Sequence, residues 1–235
     1  MEIILNQLTK CFGEKTAVDI PHYHIPSGTL LGLVGNNGAG KSTLFRLMLD
    51  LIKADQGSVC MGSTNVAQSE EWKDWTGAFI DESFLIDYLT PDEYFRFVAR
   101  ISNLNDEQLE EQLALYATFM AGEVSGQKKL IRNLSAGNKQ KVGIIAALLL
   151  RPRVLILDEP FNFLDPSSQH AIKRILLDYN RETGATILVS SHNLNHTVDI
   201  CPRIALMEQG RILQDIDNSQ GEAQALLETY FEVNI

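Results

Sequence analysis

The sequence is poor in cysteine and in basic residues. Its three cysteines, Cys11, Cys60 and Cys201, are scattered, which excludes a disulfide framework and a cysteine-ligated metal cluster. Lys and Arg number 20 against 30 Asp and Glu, so the formal net charge is -10. This balance argues against broad electrostatic binding to nucleic acid or anionic lipid, because both depend on clustered basic residues. We therefore expect reduced thiols and no nucleic-acid partner.

Long apolar runs and a secretion signal are also missing. The longest apolar run, around Val142 to Leu150, is far shorter than the roughly 20 residues that span a bilayer. The segment Met1 to Leu5 has no basic region ahead of its apolar residues, unlike a signal peptide. We predict that the chain neither spans a membrane nor leaves the cytoplasm. Its 235 residues, 45% of them hydrophobic, suffice for a substantial core.

A glycine-rich loop is the first of three motifs that carry chemistry. Residues Gly35 to Ser42 fit the pattern G-x-x-x-x-G-K-[ST]. They follow an apolar run without alternation, Thr29 to Val34, which is typical of a buried parallel strand, and they precede apolar residues at helical spacing. Backbone N–H groups and the helix dipole then meet at one anionic ligand. This context favours a triphosphate site over a glycine-rich turn without a ligand.

The residues of this loop have distinct expected contacts. Lys41 would reach the β- and γ-phosphates, the Ser42 hydroxyl would ligate Mg²⁺, and Thr43 would add a backbone donor near the α-phosphate. The predicted nucleotide-binding residues of the loop are Asn36, Asn37, Gly38, Ala39, Gly40, Lys41, Ser42 and Thr43.

A second apolar strand, Val154 to Leu157, is followed directly by two carboxylates. Open parallel sheets bind ligands at the carboxyl ends of their strands. We expect Asp158 to hold Mg²⁺ through water, and Glu159 to orient and deprotonate an attacking water. Acids at strand ends can instead cap the next helix. Here Asp165 and Pro166 already supply an N-cap and a first-turn proline, which favours the catalytic interpretation.

The third motif lies between the other two. Ser135 and Gly137, in the run Leu134 to Gln140, precede a strongly apolar helical stretch. A hydroxyl and backbone amides therefore lie again at a helix N-terminus. Such a terminus suits a second phosphate contact.

In this order the three motifs resemble the ATP-binding-cassette (ABC) ATPase family, from about Ile3 to about Leu213. The resemblance identifies the glycine loop as Walker A, the strand ending at Asp158 as Walker B, and Leu134 to Gln140 as the signature motif. It implies an α/β fold, a P-loop NTPase (RecA-like) core with an antiparallel β subdomain and an inserted helical subdomain. It also implies a head-to-tail dimer, in which Ser135 and Gly137 contact the γ-phosphate held by the opposite protomer.

Further site residues follow from the resemblance. Phe12 matches the aromatic residue that stacks on adenine, although a phenylalanine here is equally compatible with a core position. His192 matches the switch histidine that contacts the γ-phosphate. Asp165 ends the run Phe161 to Asp165, which matches the D-loop that passes between protomers. The implied cofactors are ATP and Mg²⁺, and the implied reaction is Mg²⁺-dependent ATP hydrolysis.

The chain departs from the family pattern in two motifs. Asp81 stands where the family usually has the Q-loop glutamine, and we expect its carboxylate to bind metal or water beside Asp158 and Glu159. The signature, usually Leu-Ser-Gly-Gly-Gln, has Ala136 and Asn138 in place of two family residues. Alanine accepts fewer backbone angles than glycine. We interpret both signature changes as tuning, with an inactive signature as the alternative.

The rest of the pattern predicts a single cassette over residues 1–235. Short β-prone runs near 2–30 and 56–65 indicate the antiparallel layer on the adenine side. A helical pattern over about 84–134 indicates the subdomain that presents the signature, and residues of about 215–235 form a short polar and then amphipathic tail.

The predicted function is that of a nucleotide-binding subunit of an ABC transporter, most similar to bacterial exporters. The run Ser135 to Lys141 and the tail Leu227 to Tyr230 suggest that subset. The predicted partners are a second cassette, identical or paired, and separate transmembrane permease subunits, which would hold the chain on the inner face of the cell membrane. The alternatives are a soluble ABC ATPase acting on ribosomes or DNA, and an ATP sensor with little turnover. The cargo is not predicted, because the permease recognises it.

Overall fold

The structure is a computed structural model that describes residues 1–227. Its strands are β1 (Ile3–Phe12), β2 (Lys15–Ile25), β3 (Leu30–Val34), β4 (Gln56–Met61), β5 (Thr64–Asn65), β6 (Thr76–Phe79), β7 (Val154–Leu157), β8 (Thr186–Ser191), β9 (Arg203–Glu208) and β10 (Arg211–Asp217). Its helices are α1 (Lys41–Met48), α2 (Pro91–Ile101), α3 (Asp106–Leu115), α4 (Ala117–Met120), α5 (Ala136–Leu148), α6 (Pro166–Thr183) and α7 (Leu194–Val198). The predicted mixed α/β architecture is confirmed.

A six-stranded sheet in the order β10-β9-β3-β8-β7-β6 forms the centre of the fold. All its neighbouring strands are parallel except the pair β9 and β10. Every residue of β3, β7 and β8 is buried, which explains why β3 and β7 are apolar runs without alternation, although β8 also contains Thr186, Ser190 and Ser191. The register pairs Val34 with Ser191 and Leu157 with Val189. The glycine loop, the two acids and His192 therefore follow neighbouring strand ends on one edge.

A second, antiparallel sheet has the order β2-β1-β4-β5. Helix α1 packs against both sheets, because Leu44 and Phe45 belong to the same buried cluster as Leu5 of β1 and Ile156 of β7. Strand β1 ends at Phe12, and the turn of the β1–β2 hairpin contains Gly13, which has a positive φ. This packing places the hairpin tip close to the glycine loop.

Helices α2, α3 and α4 lie between β6 and α5 along the chain. Two of them begin with capping boxes, in which the side chains of Thr90 and Glu93, or of Asn105 and Gln108, satisfy the first free N–H groups. Helix α5 follows them and begins directly after Ser135. The helical segment thus leads the chain into the signature motif.

The C-terminal region differs from the expectation in one respect. Strand β10 extends to Asp217, so residues 215–217 belong to the central sheet and not to a tail. Residues 223–227 are helical, while the rest of the predicted amphipathic segment and residues 228–230 lie outside the described residues. Among the helices of residues 1–227, none combines the length and the apolar character needed to cross a membrane.

Candidate active site

The glycine loop lines a cavity of about 300 Å³ between β3 and α1. Gly40 has φ 111°, and a Cβ at this position would lie 2.4 Å from the carbonyl oxygen of Ala17, so only glycine fits there. Asn37 to Thr43 line this cavity, while Asn36 contributes a carbonyl oxygen 3.4 Å from the ammonium nitrogen of Lys41. The predicted loop residues therefore surround one cavity that opens at the N-terminus of α1.

Lys41 is the buried cation of this cavity. Only 6% of its surface is exposed, its ammonium donates to the carbonyl of Gly35 at 2.7 Å, and the ammonium lies 3.6 Å from Oε1 of Glu159. A desolvated ammonium attracts an anion more strongly than one in water. This position suits a contact with a terminal phosphate.

Asp158 lies beside the loop with its carboxylate nearly buried. Its partners are the hydroxyls of Ser190 and Ser42. Burial raises the pKa of the Asp158 carboxyl above its usual value, although these hydrogen bonds act in the opposite direction. A carboxylate and a hydroxyl are hard oxygen ligands of the kind that Mg²⁺ binds together with substrate phosphates. The donor set of Ser42 and Asp158 therefore fits Mg²⁺.

The carboxylate of Glu159 lies between His192 and Lys41. Its Oε2 lies 2.9 Å from Nδ1 of His192 and accepts the backbone N–H of the same histidine at 3.3 Å. Its Oε1 faces Lys41. The carboxylate is thereby oriented at the rim of the glycine-loop cavity, where a general base is needed.

The signature residues lie at a different cavity, of about 350 Å³. Ser135 is the N-cap of α5, and its hydroxyl accepts the N–H of Asn138 at 3.2 Å. A Cβ on Gly137 would lie 2.6 Å from the carbonyl oxygen of Phe163, so the D-loop packs directly on this residue. Asp165 lines the same cavity and caps α6 by accepting N–H groups from Ser167 and Ser168.

The predicted site residues thus form two groups. Phe12, the loop residues and Glu159 line the first cavity, whereas Ser135, Gly137 and Asp165 line the second. Within one chain, the signature does not line the glycine-loop cavity.

Asp81 lies at a third cavity, of about 260 Å³, together with Asp158 and Glu159. Its carboxylate accepts a hydrogen bond from the guanidinium of Arg46 at 3.1 Å and from the backbone N–H of Ser83 at 2.9 Å. Burial alone would raise the pKa of Asp81, but hydrogen bonds from the hydroxyl and the N–H of Ser83 and from Arg46 outweigh it and hold the pKa below its usual value. Asp81 is therefore near the acids but already paired.

Phe12 is 54% exposed, so the core interpretation of this residue is wrong. The ammonium of Lys10 lies 5.5 Å from the ring centroid, and the ring lines the glycine-loop cavity. An exposed aromatic ring at the mouth of a phosphate-binding cavity is available for stacking with a base.

Two further polar residues were missed by sequence reasoning. Ser190 and Gln140 both hydrogen-bond the backbone of Glu159. Ser190 could have been noticed because Ser190 and Ser191 end a run of apolar strand residues with two polar side chains. Gln140 gave no comparable signal, because nothing local shows what its amide reaches.

Comparison with known proteins gives these arrangements a context. A model of the ABC transporter family matches residues 18–162. The chain is 32% identical over 238 residues to the bacitracin transport ATP-binding protein BcrA of Enterococcus faecalis, covering 100% of this chain and 76% of that protein. It is also 32% identical over 242 residues to the phosphonates import ATP-binding protein PhnC of Agrobacterium fabrum, covering 98% and 85%.

Solved structures show the same fold. The structure of an ATP-binding subunit of an ABC transporter superimposes with a TM-score of 0.86 at 26% identity, covering 100% of both chains. The dimeric post-hydrolysis cassette MJ0796, bound to ADP and Pi, superimposes with a TM-score of 0.82 at 22% identity, covering 92% of this chain and 98% of that one.

The family model spans more than half of the chain, and its matched region contains the glycine loop, the signature and both acids. The chain therefore belongs to the ABC transporter family, as an ATP-binding ATPase subunit.

Proposed function

We propose that two copies of this cassette, or this cassette and a paired one, hydrolyse ATP at a head-to-tail interface and so drive transport through separate membrane subunits. One observation carries the proposal. The groups that bind phosphate lie in two cavities of a single chain, one lined by Lys41 and the other by Ser135 and Gly137. Two chains arranged head to tail would bring one cavity of each kind to every nucleotide.

Each residue has a role in this proposal. Phe12 stacks on adenine, residues 36–43 hold the phosphates, and the partner chain's copies of Ser135 and Gly137 contact the γ-phosphate. Glu159 accepts a proton from the attacking water, and the adjacent His192 contacts the γ-phosphate. Asp165 orders the D-loop between the two protomers by capping α6.

Ser42 and Asp158 are the proposed metal ligands, with Asp81 near enough to add a water-mediated contact. Bound Mg²⁺ would supply charge neutralisation at the phosphates. In this assignment, a bound cation would favour the charged form of the Asp158 carboxyl, which burial disfavours.

The proposed direction of transport is export, and the proposed location is the cytoplasmic face of the cell membrane, through contact with permease subunits. The relatives include BcrA, which is named for bacitracin transport, and PhnC, which is named for phosphonates import, and both match nearly the whole chain at 32% identity. The proposal of export rests on the run Ser135 to Lys141 in the sequence.

The central experiment is the substitution Glu159→Gln, which removes the base but keeps the shape of the side chain. We expect the variant to bind ATP and accumulate as a stable dimer, while phosphate release falls by roughly two to four orders of magnitude. Turnover is measured by phosphate release, and the dimer by size-exclusion chromatography with ATP. Glu182→Gln, the same change at an exposed position of α6, is the matched control and should behave as wild type.

Three outcomes would each reject a part of the proposal. Wild-type turnover in Glu159→Gln would remove Glu159 from the role of base. A variant that binds ATP but stays monomeric, alone and with its membrane partner, would reject the shared site. Absence of Mg²⁺-dependent phosphate release from the wild-type chain at every concentration would favour the sensor alternative.

A further inference from the structure

The backbone of Glu159 has an unusual conformation. Its φ is 47°, in the left-handed region that residues with a Cβ rarely occupy. Such a conformation persists only where the surroundings hold it, and residues of this kind cluster at functional sites. The question is therefore which groups hold this residue.

Two side chains from distant parts of the sequence bind the two backbone groups of Glu159. The N–H donates to Oγ of Ser190 at 2.8 Å, and the carbonyl accepts from Nε2 of Gln140 at 3.1 Å. The same carbonyl also accepts the N–H of Asn162 at 3.1 Å, within the turn that follows. Both backbone groups are thus paired with side chains outside the local turn.

Ser190 lies in the middle of the central sheet and is fully buried. Strand β8 runs parallel to β7 with Val189 paired to Leu157, so the next residue of each strand, Ser190 and Asp158, are also neighbours. The hydroxyl donates to Oδ1 of Asp158 while it accepts the N–H of Glu159. One hydroxyl therefore joins the two consecutive acids, and without it a buried N–H would lose its partner.

Gln140 lies on α5 and is 8% exposed. Helix α5 approaches the central sheet closely, because a Cβ on Gly143, one turn after Gln140, would lie 2.1 Å from the ring of Phe79. This approach brings the amide of Gln140 within reach of the Glu159 carbonyl. The first turn of the same helix carries Ser135 and Gly137, the signature residues.

We infer that Ser190 and Gln140 are positioning residues for hydrolysis: they hold the left-handed backbone at Glu159, and thereby aim its carboxylate at His192 and at the rim of the glycine-loop cavity. The inference rests on the proposed role of Glu159 as the base. It has a consequence for the dimer. Because Gln140 and the signature share α5, the helix that contacts the partner's nucleotide also holds the base that serves this chain's own nucleotide.

The test separates positioning from binding and from stability. Gln140→Met removes only the hydrogen bond to the Glu159 carbonyl, whereas Ser190→Ala removes the hydrogen bond to the Glu159 N–H together with the one to Asp158. We expect kcat for ATP hydrolysis to fall by roughly 10–100-fold in each, the range for a misplaced reacting group, with KM for ATP and ATP affinity within about twofold of wild type. Ser190→Thr restores a hydroxyl and should recover most of kcat.

The matched control is Thr186→Val. Thr186 is a fully buried hydroxyl residue on the same strand, but its partners are the backbone N–H of Gly28 and the carbonyl of Met1, at the opposite end of the sheet. This variant should lower the melting temperature and leave kcat unchanged. If it lowered kcat as much as Ser190→Ala, the effect of Ser190 would be one of stability, and the inference would be wrong.

Combination with Glu159→Gln distinguishes this inference from the proposed function. If Ser190 acts through Glu159, adding Ser190→Ala to Glu159→Gln causes no further loss of turnover. If Ser190→Ala lowered turnover by the same factor in the wild-type chain and in Glu159→Gln, the inference would be overturned. Full kcat in Ser190→Ala and Gln140→Met, with turnover lost in Glu159→Gln, would also overturn it while leaving the proposed function intact. Turnover retained in Glu159→Gln would instead show that Glu159 is not the base, which contradicts the proposed function. If Ser190→Ala does not fold, the kcat of Gln140→Met tests the inference.

Discussion

The glycine-loop cavity and the signature cavity each contain a nearly buried lysine, but the lysines have different partners. Lys41 lies 3.6 Å from Glu159, a carboxylate inside the site. Lys141 lies 3.1 Å from Glu123, whose side chain is 57% exposed at the rim. The lysine of the first cavity therefore faces the proposed base, whereas the lysine of the second faces a more exposed carboxylate beside the N-terminus of α5, in a cavity that Asp165 also lines.

The surface around each of the two cavities therefore has a different proposed task in ATP hydrolysis. The glycine-loop side holds the groups proposed for the reaction, namely Lys41, the proposed metal ligands and the proposed base. The signature side holds groups that can bind phosphate, and its two carboxylates already have partners, since Asp165 caps α6 and Glu123 pairs with Lys141. Neither surface is expected to turn over ATP until a second chain supplies the other.

The largest expected effect comes from damaging one surface at a time. Lys41→Ala removes the buried cation, and Ser135→Asp puts a negative charge where the γ-phosphate would bind while keeping a good helix cap. Each variant alone should lose roughly two to three orders of magnitude in turnover. An equal mixture should recover at least about tenfold over either variant, because one site of the mixed dimer carries neither change.

Phosphate release by the two variants, alone and mixed, measures this recovery. A mixture that only averages the two separate rates would mean that each chain contains its whole site. Such a result would contradict the division between the two surfaces.

A smaller effect is expected at Asp81, which lies between the two surfaces. Asp81→Ala should raise the Mg²⁺ concentration needed for half-maximal turnover by about tenfold, as for other groups next to a metal ligand. Stability should change little, since the side chains of the Arg46–Asp81 pair are 44% and 38% exposed and such pairs are worth at most about 1 kcal/mol.

Arg46→Ala is the matched control, because it breaks the same ion pair and leaves the carboxylate in place. It should not raise the Mg²⁺ requirement. If wild type and Asp81→Ala needed the same Mg²⁺ concentration for half-maximal turnover, Asp81 would have no part in metal or water binding. If Asp81→Ala and Arg46→Ala raised that concentration equally, the effect would belong to the ion pair.

The smallest expected effect is on stability, and its sign should differ between the surfaces. The folded-state pKa of Asp158 is raised by burial, so the folded chain holds this proton more tightly than the unfolded chain. The free energy of unfolding therefore falls as the pH rises through the interval between the two pKa values. Asp158→Asn avoids that loss and should melt at a higher temperature at neutral pH, with a difference that shrinks in acid.

Ser135→Ala should do the opposite, because it removes the N-cap of α5 and costs about 0.5–2 kcal/mol. Thermal unfolding without nucleotide and with a chelator measures both variants. A lower melting temperature for Asp158→Asn at every pH would show that the buried carboxylate is a stabilising group, contrary to its raised pKa.

The parts of the site that depend only on residues close together in the sequence were predictable. The loop from Gly35 to Ser42 was recognisable because glycines, a preceding apolar strand and a following helical pattern are all properties of neighbouring residues. The predicted N-cap at Asp165 is confirmed for the same reason, and Ser135, which was predicted to lie at a helix N-terminus, is the N-cap of α5. Their side chains bind N–H groups two or three residues away.

Features of the site and the fold that depend on contacts between residues far apart in the sequence were not predictable. The partner of Asp81 is Arg46, 35 residues earlier, and no local pattern connects them. Whether Phe12 was buried or exposed depended on how the β1–β2 hairpin packs against the central sheet. The end of β10 at Asp217 was missed because most residues of the strand are exposed and its last four are mainly polar, so that only the pairing with β9 defines it.

The amino-acid sequence by itself determined the kind of ligand and the chemical groups that meet it, because a phosphate-binding loop, a strand-end acid pair and a helix cap are each encoded within a few consecutive residues. Tertiary structure alone decided how those groups are held. The backbone of Glu159 is bound by Ser190 and Gln140, which lie 31 and 19 residues away along the chain. Contacts of this kind exist only after β7, β8 and α5 have packed together, since hydrogen bonds act over about 3 Å in space and not along the sequence.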